Sequence, residues 1–399
     1  MQELLRYRYF VRFWFARVAA VAGTQMLLLG IGWHMYELTG SAWDLGLVGL
    51  FQFAPALVTT LVAGHVADHF HRARLVALCL AMQAGVAIFL VAATQAHAAT
   101  RELLLALSVV LGALRPFQMS AQQALVPSLI PTSLLSRAMA LSSSGQQVAV
   151  IGGPAAGGLL FAVGVNAVYA TCAALFGLAC IVCLYVRHEH TPAAREPVTA
   201  RTLLAGARFI WAHPLLLGAV SLDLFAVLLG GATALLPIFA KEILKVGPEG
   251  LGLLRSAPAI GALLVGVTLA RHPLSRGVGK KLLLAVGVYG VCIVVFGLSK
   301  SFWLSAAALA MAGGADMVSV VVRQTLVQLE TPDHMRGRVA AINTLFIGAS
   351  NQLGEFESGF TAAAFGPIGS VVMGGLGTIF ISLAWLRLFK PLAARESLG

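Results

Sequence analysis

Charge is the scarcest commodity in this 399-residue chain: charged side chains make up 11% of it, against 59% hydrophobic. A soluble globular chain carries about 25% charged residues, so this one lacks the polar groups to coat a water-facing surface of its size. A soluble protein is excluded. At roughly 20 residues per membrane-spanning helix, the chain holds about twelve spans and no soluble catalytic domain.

Cysteine is sparse too. Cys79, Cys172, Cys180, Cys183 and Cys292 all fall inside apolar runs, so no extracytoplasmic disulfide framework is implied. Cys180-x-x-Cys183 has the spacing of a redox or metal pair, but within an all-apolar helix it reads as packing. No metal and no cofactor is expected. Hydrolytic and nucleotide motifs are missing as well: neither H-E-x-x-H, nor G-x-S-x-G, nor G-x-x-x-x-G-K-[ST] occurs, and no two intramembrane aspartates read as lying at one depth. An enzyme is therefore not expected, and direct ATP use would need a separate subunit.

What the chain has is apolar runs. Six lie near 18–38, 45–67, 75–96, 103–130, 138–163 and 165–186, and six more near 215–240, 251–270, 282–298, 302–329, 339–365 and 368–388. The expected fold is an all-α membrane protein of twelve transmembrane helices in two six-helix bundles, residues 1–186 and 214–399. The hydrophilic stretch 187–213, with Pro192 and Pro197, reads as a cytoplasmic linker, and Thr202 to Trp211 within it as an interfacial amphipathic helix. The first run is too long for a signal-peptide core and lacks a convincing cleavage site, so it is expected to remain as the first helix.

The net charge of +11 does not point to nucleic acid, because the basic residues punctuate apolar runs instead of sharing a polar face. Their placement carries topology. With the N-terminus inside, the outer loops hold only Arg101, Lys241, Lys245 and Lys300, whereas most of the 27 Lys and Arg fall on the inner side. The positive-inside rule then puts both termini and the linker in the cytoplasm. The expected partners are membrane lipids, a small-molecule substrate and protons, with the chain acting as a monomer.

The halves match one another at an offset of 201 residues. Gly112 through Arg115, Gln123, Leu125 and Pro131 meets Gly313 through Asp316, Gln324, Leu326 and Pro332. Arg137 meets Arg338, Gly153 meets Gly354, and Gly158 meets Gly359. Collinear matches over three helices indicate a duplicated six-helix unit, a plan used by transporters with a central cavity.

Three motifs carry a family resemblance. The loop after the second run, Gly64-His-Val-Ala-Asp68-His69-Phe-His71-Arg72-Ala-Arg74, resembles the major facilitator superfamily signature G-x-x-x-D-(R/K)-x-G-(R/K)-(R/K). Gly64, Asp68 and Arg72 match, while His69, His71 and Ala73 depart from it. Gly153-Pro154-Ala-Ala-Gly157-Gly158 resembles the end of the glycine-rich antiporter motif, with Ala140 and Ala149 at its earlier glycine positions. Arg115-Pro-Phe-Gln118 is similar to the fourth-helix R-x-x-Q signature, with Met119 in place of a glycine. Tyr36-Glu-Leu-Thr-Gly-Ser41, Asp223 through Gly231 and Ser350 through Gly359 resemble the enterobactin-exporter-like, or transmembrane secretion effector, branch. The resemblance implies a multi-pass transporter of the bacterial inner (plasma) membrane, with pseudo-twofold bundles and efflux by proton antiport.

Candidate residues follow from cost. A charge inside a bilayer costs several kcal/mol and normally faces a partner or a water-filled cavity. The intramembrane charges are Arg115, Asp223, Arg255, Asp316, Arg323, Glu355 and Glu357. Asp223 lies about 14 Å from the inner end of its span, near the midplane, which suits a coupling proton. The alternative is a structural Asp bonded to a neighbouring helix. Arg115 and Asp316 occupy matched places in the two repeats and are expected to form an inner gate or to bind substrate and proton; an ion pair within one half remains the alternative. Arg323, seven residues beyond Asp316, shares its face.

Arg255 and Glu355 agree in depth and are expected to pair on the periplasmic side. Glu355 and Glu357 are about 200° apart around a helix, so at least one is structural. Asp68, Arg72 and Gly64 are expected to latch the inner side, with Asp68 taking hydrogen bonds from a helix N-terminus and pairing with Arg72. His69 and His71 read as solvated loop histidines. Gly153, Pro154, Gly157 and Gly158 read as a close-packing and bending motif. The first span carries no acid in its body, only Thr24, Gln25 and His34, with Glu37 at its end, which shifts the coupling site to the second half. The expected function is secondary active export of a small amphipathic or anionic molecule by proton-coupled alternating access. A lipid or metabolite uniporter or flippase, and a non-transporting receptor or scaffold, are the alternatives.

Overall fold

A computed structural model describes residues 4, 6–186, 200–272, 274, 276–332 and 335–397. Regular structure among the described residues is helical throughout. The first half holds α1 (Arg8–Thr39), α2 (Ala42–His69), α3 (Arg72–Gln95), α4 (Arg101–Leu125), α5 (Leu135–Leu160) and α6 (Val165–Leu184). A short α7 (Ala200–Ala212) precedes α8 (Pro214–Leu229), α9 (Gly247–Arg271), α10 (Val278–Leu298), α11 (Phe302–Leu329), α12 (Arg336–Leu388) and α13 (Lys390–Ala393). Ten helical stretches among the described residues are long and apolar enough to cross a bilayer. Their outward surfaces are apolar: Phe380 is 71% exposed, Leu284 67% and Leu159 66%. Surfaces of that kind are stable against hydrocarbon, not against water.

Local chemistry sets the helix limits. Thr100 caps α4, its hydroxyl accepting from the Leu103 N–H at 3.3 Å, one of the donors a helix start leaves unpaired. α1 ends on Gly40 at φ 61°, the left-handed conformation that glycine adopts without a Cβ penalty. The runs near 339–365 and 368–388 join into α12, broken where Gly366 adopts φ 77° and ψ 161°. Pro367 follows, so the backbone turns without a separate loop.

The run near 215–240 is interrupted. α8 stops at Leu229, and the chain continues through a 3₁₀ turn at Ala232–Leu235 and a π-helical turn at Phe239–Ile243. Glycines at 230 and 231 weaken the helix there, and carbonyls released inside a membrane must find donors. Tyr289 Oη donates to Gly230 O at 3.0 Å, and Ser358 Oγ to Gly231 O at 2.9 Å.

Two compact units emerge. The first comprises residues 1–40, 54–197 and 251–256, the second 41–53, 198–250 and 257–399. In the first, α1 packs on α5 and α6, and α3 on α6. In the second, α10 packs on α11 and α12, and α8 on α12, around a core that includes Leu222, Leu282, Leu326 and the tail residue Leu392. Of the linker 187–213, residues 187–199 lie outside the described residues. The amphipathic segment from Thr202 to Trp211 falls on α7, where Ile210 is buried, Trp211 is exposed and Gly206 sits against the Arg338 carbonyl.

Candidate functional site

The second unit concentrates buried charge. Arg323 Nη1 lies 3.0 Å from Asp223 Oδ2, with the two side chains 2% and 6% exposed. The same nitrogen donates to Asn343 Oδ1 at 3.3 Å. Asp223 sits on α8, Arg323 on α11 and Asn343 on α12, so one guanidinium ties three helices together. Removing two charges from water is costly unless their geometry is close and their remaining donors are used. Here Nη1 is doubly used, whereas Nε of Arg323 is buried without a hydrogen-bond partner among the described residues.

Beside the pair lies a small cavity with room for about 10 Å³ of water-sized centres, lined by Asp223, Ala226, Val227, Val286, Tyr289, Ala315, Asp316 and Ser319. That is about the space of one water. By helix rise Asp223 and Asp316 lie at different depths, yet both face this one cavity. The rise along each helix places backbones, but a side chain spans several ångströms more, enough to bring groups from different turns together.

The remaining candidates sit as follows. Arg115 is exposed on α4 of the first unit, followed along the helix by buried Gln118 and Gln122. Gln83 Nε2 on α3 donates to Gln118 Oε1 at 2.8 Å. At the offset of 201, the trio of Arg115, Gln118 and Gln122 corresponds to Asp316, Ser319 and Arg323. The buried amide Gln122 thus stands where the other repeat carries Arg323, and Gln118 where it carries Ser319. Arg255 belongs to the first unit and Glu355 to the second. Glu355 backs the close approach of Gly49, where a Cβ would meet its own at 2.9 Å; Glu355 and Glu357 are both half-buried.

Arg72 is 9% exposed, and its Nη1 donates to Ala124 O at 3.1 Å near the end of α4. That bond satisfies a carbonyl at a helix C-terminus, where positive charge is also favoured. The side chains of Gly64, Asp68 and His69, and so the expected pairing of Asp68, lie outside the described residues. Gly153 fits against Ala22 and Gln25 of α1, where a Cβ would meet Ala22 O at 3.0 Å, and Gly157 against Met26. Pro154 and Gly158 lie against Gly252. The side-chain volume these glycines omit is the volume the neighbouring backbones occupy.

Sequence reasoning overlooked Asn343, Tyr289 and Ser319 around the charged set, and a buried pair in the first unit, His34 Nδ1 to Tyr169 Oη at 3.0 Å. A usable signal existed for Arg323. It lies about 9 Å and Asp223 about 14 Å from the inner ends of their helices, a gap that an arginine side chain bridges.

With the geometry established, likeness to known proteins decides the family. The family model described as a transmembrane secretion effector matches residues 3–397. The chain belongs to that family. That family is a branch of the major facilitator superfamily, and the chain resembles efflux proteins over most of its length. The multidrug efflux pump Tap of Mycolicibacterium fortuitum is 27% identical over 367 residues, covering 88% of this chain and 88% of that protein. The enterobactin exporter EntS of Shigella dysenteriae is 25% identical over 380 residues, covering 94% of this chain and 91% of that protein.

Solved structures agree on the fold. A bacterial homologue of the human lysosomal transporter Spinster, in its inward-facing and occupied conformation, matches with a TM-score of 0.71 at 15% identity, covering 97% of this chain and 96% of that one. The nucleoside transporter NupG matches with a TM-score of 0.69 at 15% identity, over 96% of this chain and 99% of that one. The chain is accordingly a multi-span membrane transporter of that family, and its family and relatives are transporters, not enzymes.

Proposed function

We propose that the protein is a secondary active exporter of a small amphipathic or anionic molecule, siderophore-like or drug-like, driven by proton antiport through alternating access in a bacterial inner membrane. The observation that carries this reading is the Asp223–Arg323 pair with Asp316 on the same cavity: intramembrane charge is expensive, and a transporter gains from keeping it where a scaffold does not. The substrate class rests on relatives described as exporting enterobactin or several drugs.

Twelve spans are part of the proposal. They are the ten apolar stretches, with α5 added and α12 counted as two helices either side of Gly366. Lys and Arg placement supports cytoplasmic termini. Arg115, Glu355 and Glu357 remain proposed contributors to substrate or coupling, Arg255 with Glu355 a proposed outer pair, and Gly64, Asp68 and Arg72 a proposed inner latch.

The test is uptake into inverted proteoliposomes of a catecholate siderophore and of ethidium under an imposed pH gradient. Gradient-driven accumulation that a protonophore abolishes is expected. Gradient-independent equilibration would favour the uniporter reading.

A further inference from the structure

The charged set in the second unit does not balance. Two carboxylates, Asp223 and Asp316, line one cavity, and the cation beside them is Arg323. Its guanidinium is committed to Asp223 at 3.0 Å and to Asn343 at 3.3 Å. The other polar groups at the cavity are neutral: Ser319 on α11, and Tyr289 on α10, whose hydroxyl proton is given to Gly230 O. Among the described residues at this cavity, two anions and one cation leave a surplus negative charge inside a membrane, where an uncompensated carboxylate is strongly disfavoured. One proton restores neutrality.

From this imbalance we infer that Asp316 holds the exchangeable proton of this cavity and that Asp223 is a positioning residue, whose task is to hold Arg323. The inference rests on the proposed proton antiport and names the group that serves it.

Three observations assign the proton to Asp316. Asp223 is sealed, at 5% exposed, and already accepts from a guanidinium; a paired carboxylate gives up that pairing if it is protonated. Asp316 keeps more of its surface open, and the cavity beside it has room for about one water, through which a proton can leave. Nε of Arg323 is a buried donor with no hydrogen-bond partner among the described residues. Arg323 lies two turns beyond Asp316 on the same face, and helix side chains lean toward the N-terminus, which is the direction of Asp316. When Asp316–COOH releases its proton to water, the carboxylate left behind competes with Asp223 for this guanidinium. Loss of one proton is then converted into a change of partner across α8, α11 and α12.

Infrared difference spectroscopy on the purified full-length protein tests the assignment without any substrate. At neutral pH the difference between wild type and Asp316→Asn is expected to contain one protonated-carboxyl C=O stretch that shifts in D₂O. Asp316→Asn loses that band, and Asp316→Glu keeps it at a shifted frequency. Asp223→Asn also loses it, because the freed Arg323 then neutralises Asp316. The double variant Asp223→Asn with Arg323→Gln removes the pair as a neutral unit and keeps the band. A band that survives in Asp316→Asn and vanishes from the double variant would overturn the assignment in favour of Asp223, and a wild type without the band would overturn it outright. Retained helical circular dichroism in each variant guards against misfolding. Export without proton movement would instead defeat the antiport reading while leaving the spectroscopic result to stand or fall by itself.

Discussion

Arg323 and Asp223 form a 3.0 Å ion pair with 2% and 6% of their side chains exposed, linking α11 to α8 inside the apolar body of the second unit. Breaking such a pair from one side strands a charge, at about 3–5 kcal/mol, while replacing both partners with apolar groups is often neutral. Arg323→Met should therefore lower the apparent melting temperature in detergent more than the double variant Asp223→Leu with Arg323→Met. Equal losses would mean that the pair contributes nothing as a pair.

Glycine packing in the first unit can be separated by neighbouring positions. Gly153 lies against the α1 backbone, whereas an added Cβ at Gly152 meets nothing within 4 Å. Gly152→Ala should keep expression and melting temperature near wild type. Gly153→Val should destabilise by about 1–3 kcal/mol through overpacking, visible as a lower melting temperature and a broadened gel-filtration peak.

The C-terminal tail should prove structural. Gly279 N–H donates to Arg395 O at 2.9 Å, Arg395 Nη2 meets Glu330 Oε1 at 2.9 Å, and Leu392 is fully buried. The tail thus caps the start of α10, satisfying a donor that a helix N-terminus leaves free. Gly279 has no room for a side chain against the Leu392 carbonyl. Truncation after Phe389 and Gly279→Val should each lower stability by at least about 1–2 kcal/mol, measured by thermal unfolding, while Gly348→Ala, with open space around it, should not.

Tyr169→Phe should cost about 1–3 kcal/mol, because His34 would lose its 3.0 Å hydrogen-bond partner in a buried setting. Proton-driven export should survive in this variant, since His34 and Tyr169 belong to the first unit and the proposed coupling set to the second. Loss of coupling at unchanged stability would move the proton site to α1.

Much of this protein is legible in its sequence because membrane insertion is written in one dimension. Runs of apolar residues give helices, and Gly366-Pro367 marks where α12 turns. The interruption at Gly230 and Gly231 was hidden, because the residues on both sides are as apolar as a continuous helix requires; only the donors Tyr289 and Ser358, distant in sequence, make it tolerable. The charged set was half legible. Cost flagged Asp223, Asp316 and Arg323 individually, yet which helix faces another depends on rotation about each axis, and hydropathy does not record rotation. Matched placement in the repeats singled out Asp316 and Arg115 together; what it did not show is that within the second unit Asp316 shares its cavity with Asp223. Repeat symmetry predicts equivalent positions, not equivalent chemistry, as the amides Gln118 and Gln122, equivalent in sequence to Ser319 and Arg323, demonstrate.

The most direct test of proton-coupled export is dye-reported proton movement in proteoliposomes on addition of a catecholate siderophore or ethidium, comparing wild type with Asp223→Asn. Substrate-triggered proton flux in the wild type, lost in Asp223→Asn while the variant stays folded, is the predicted result. Substrate transport by the wild type with no accompanying proton movement, or unchanged proton coupling in Asp223→Asn, would contradict it.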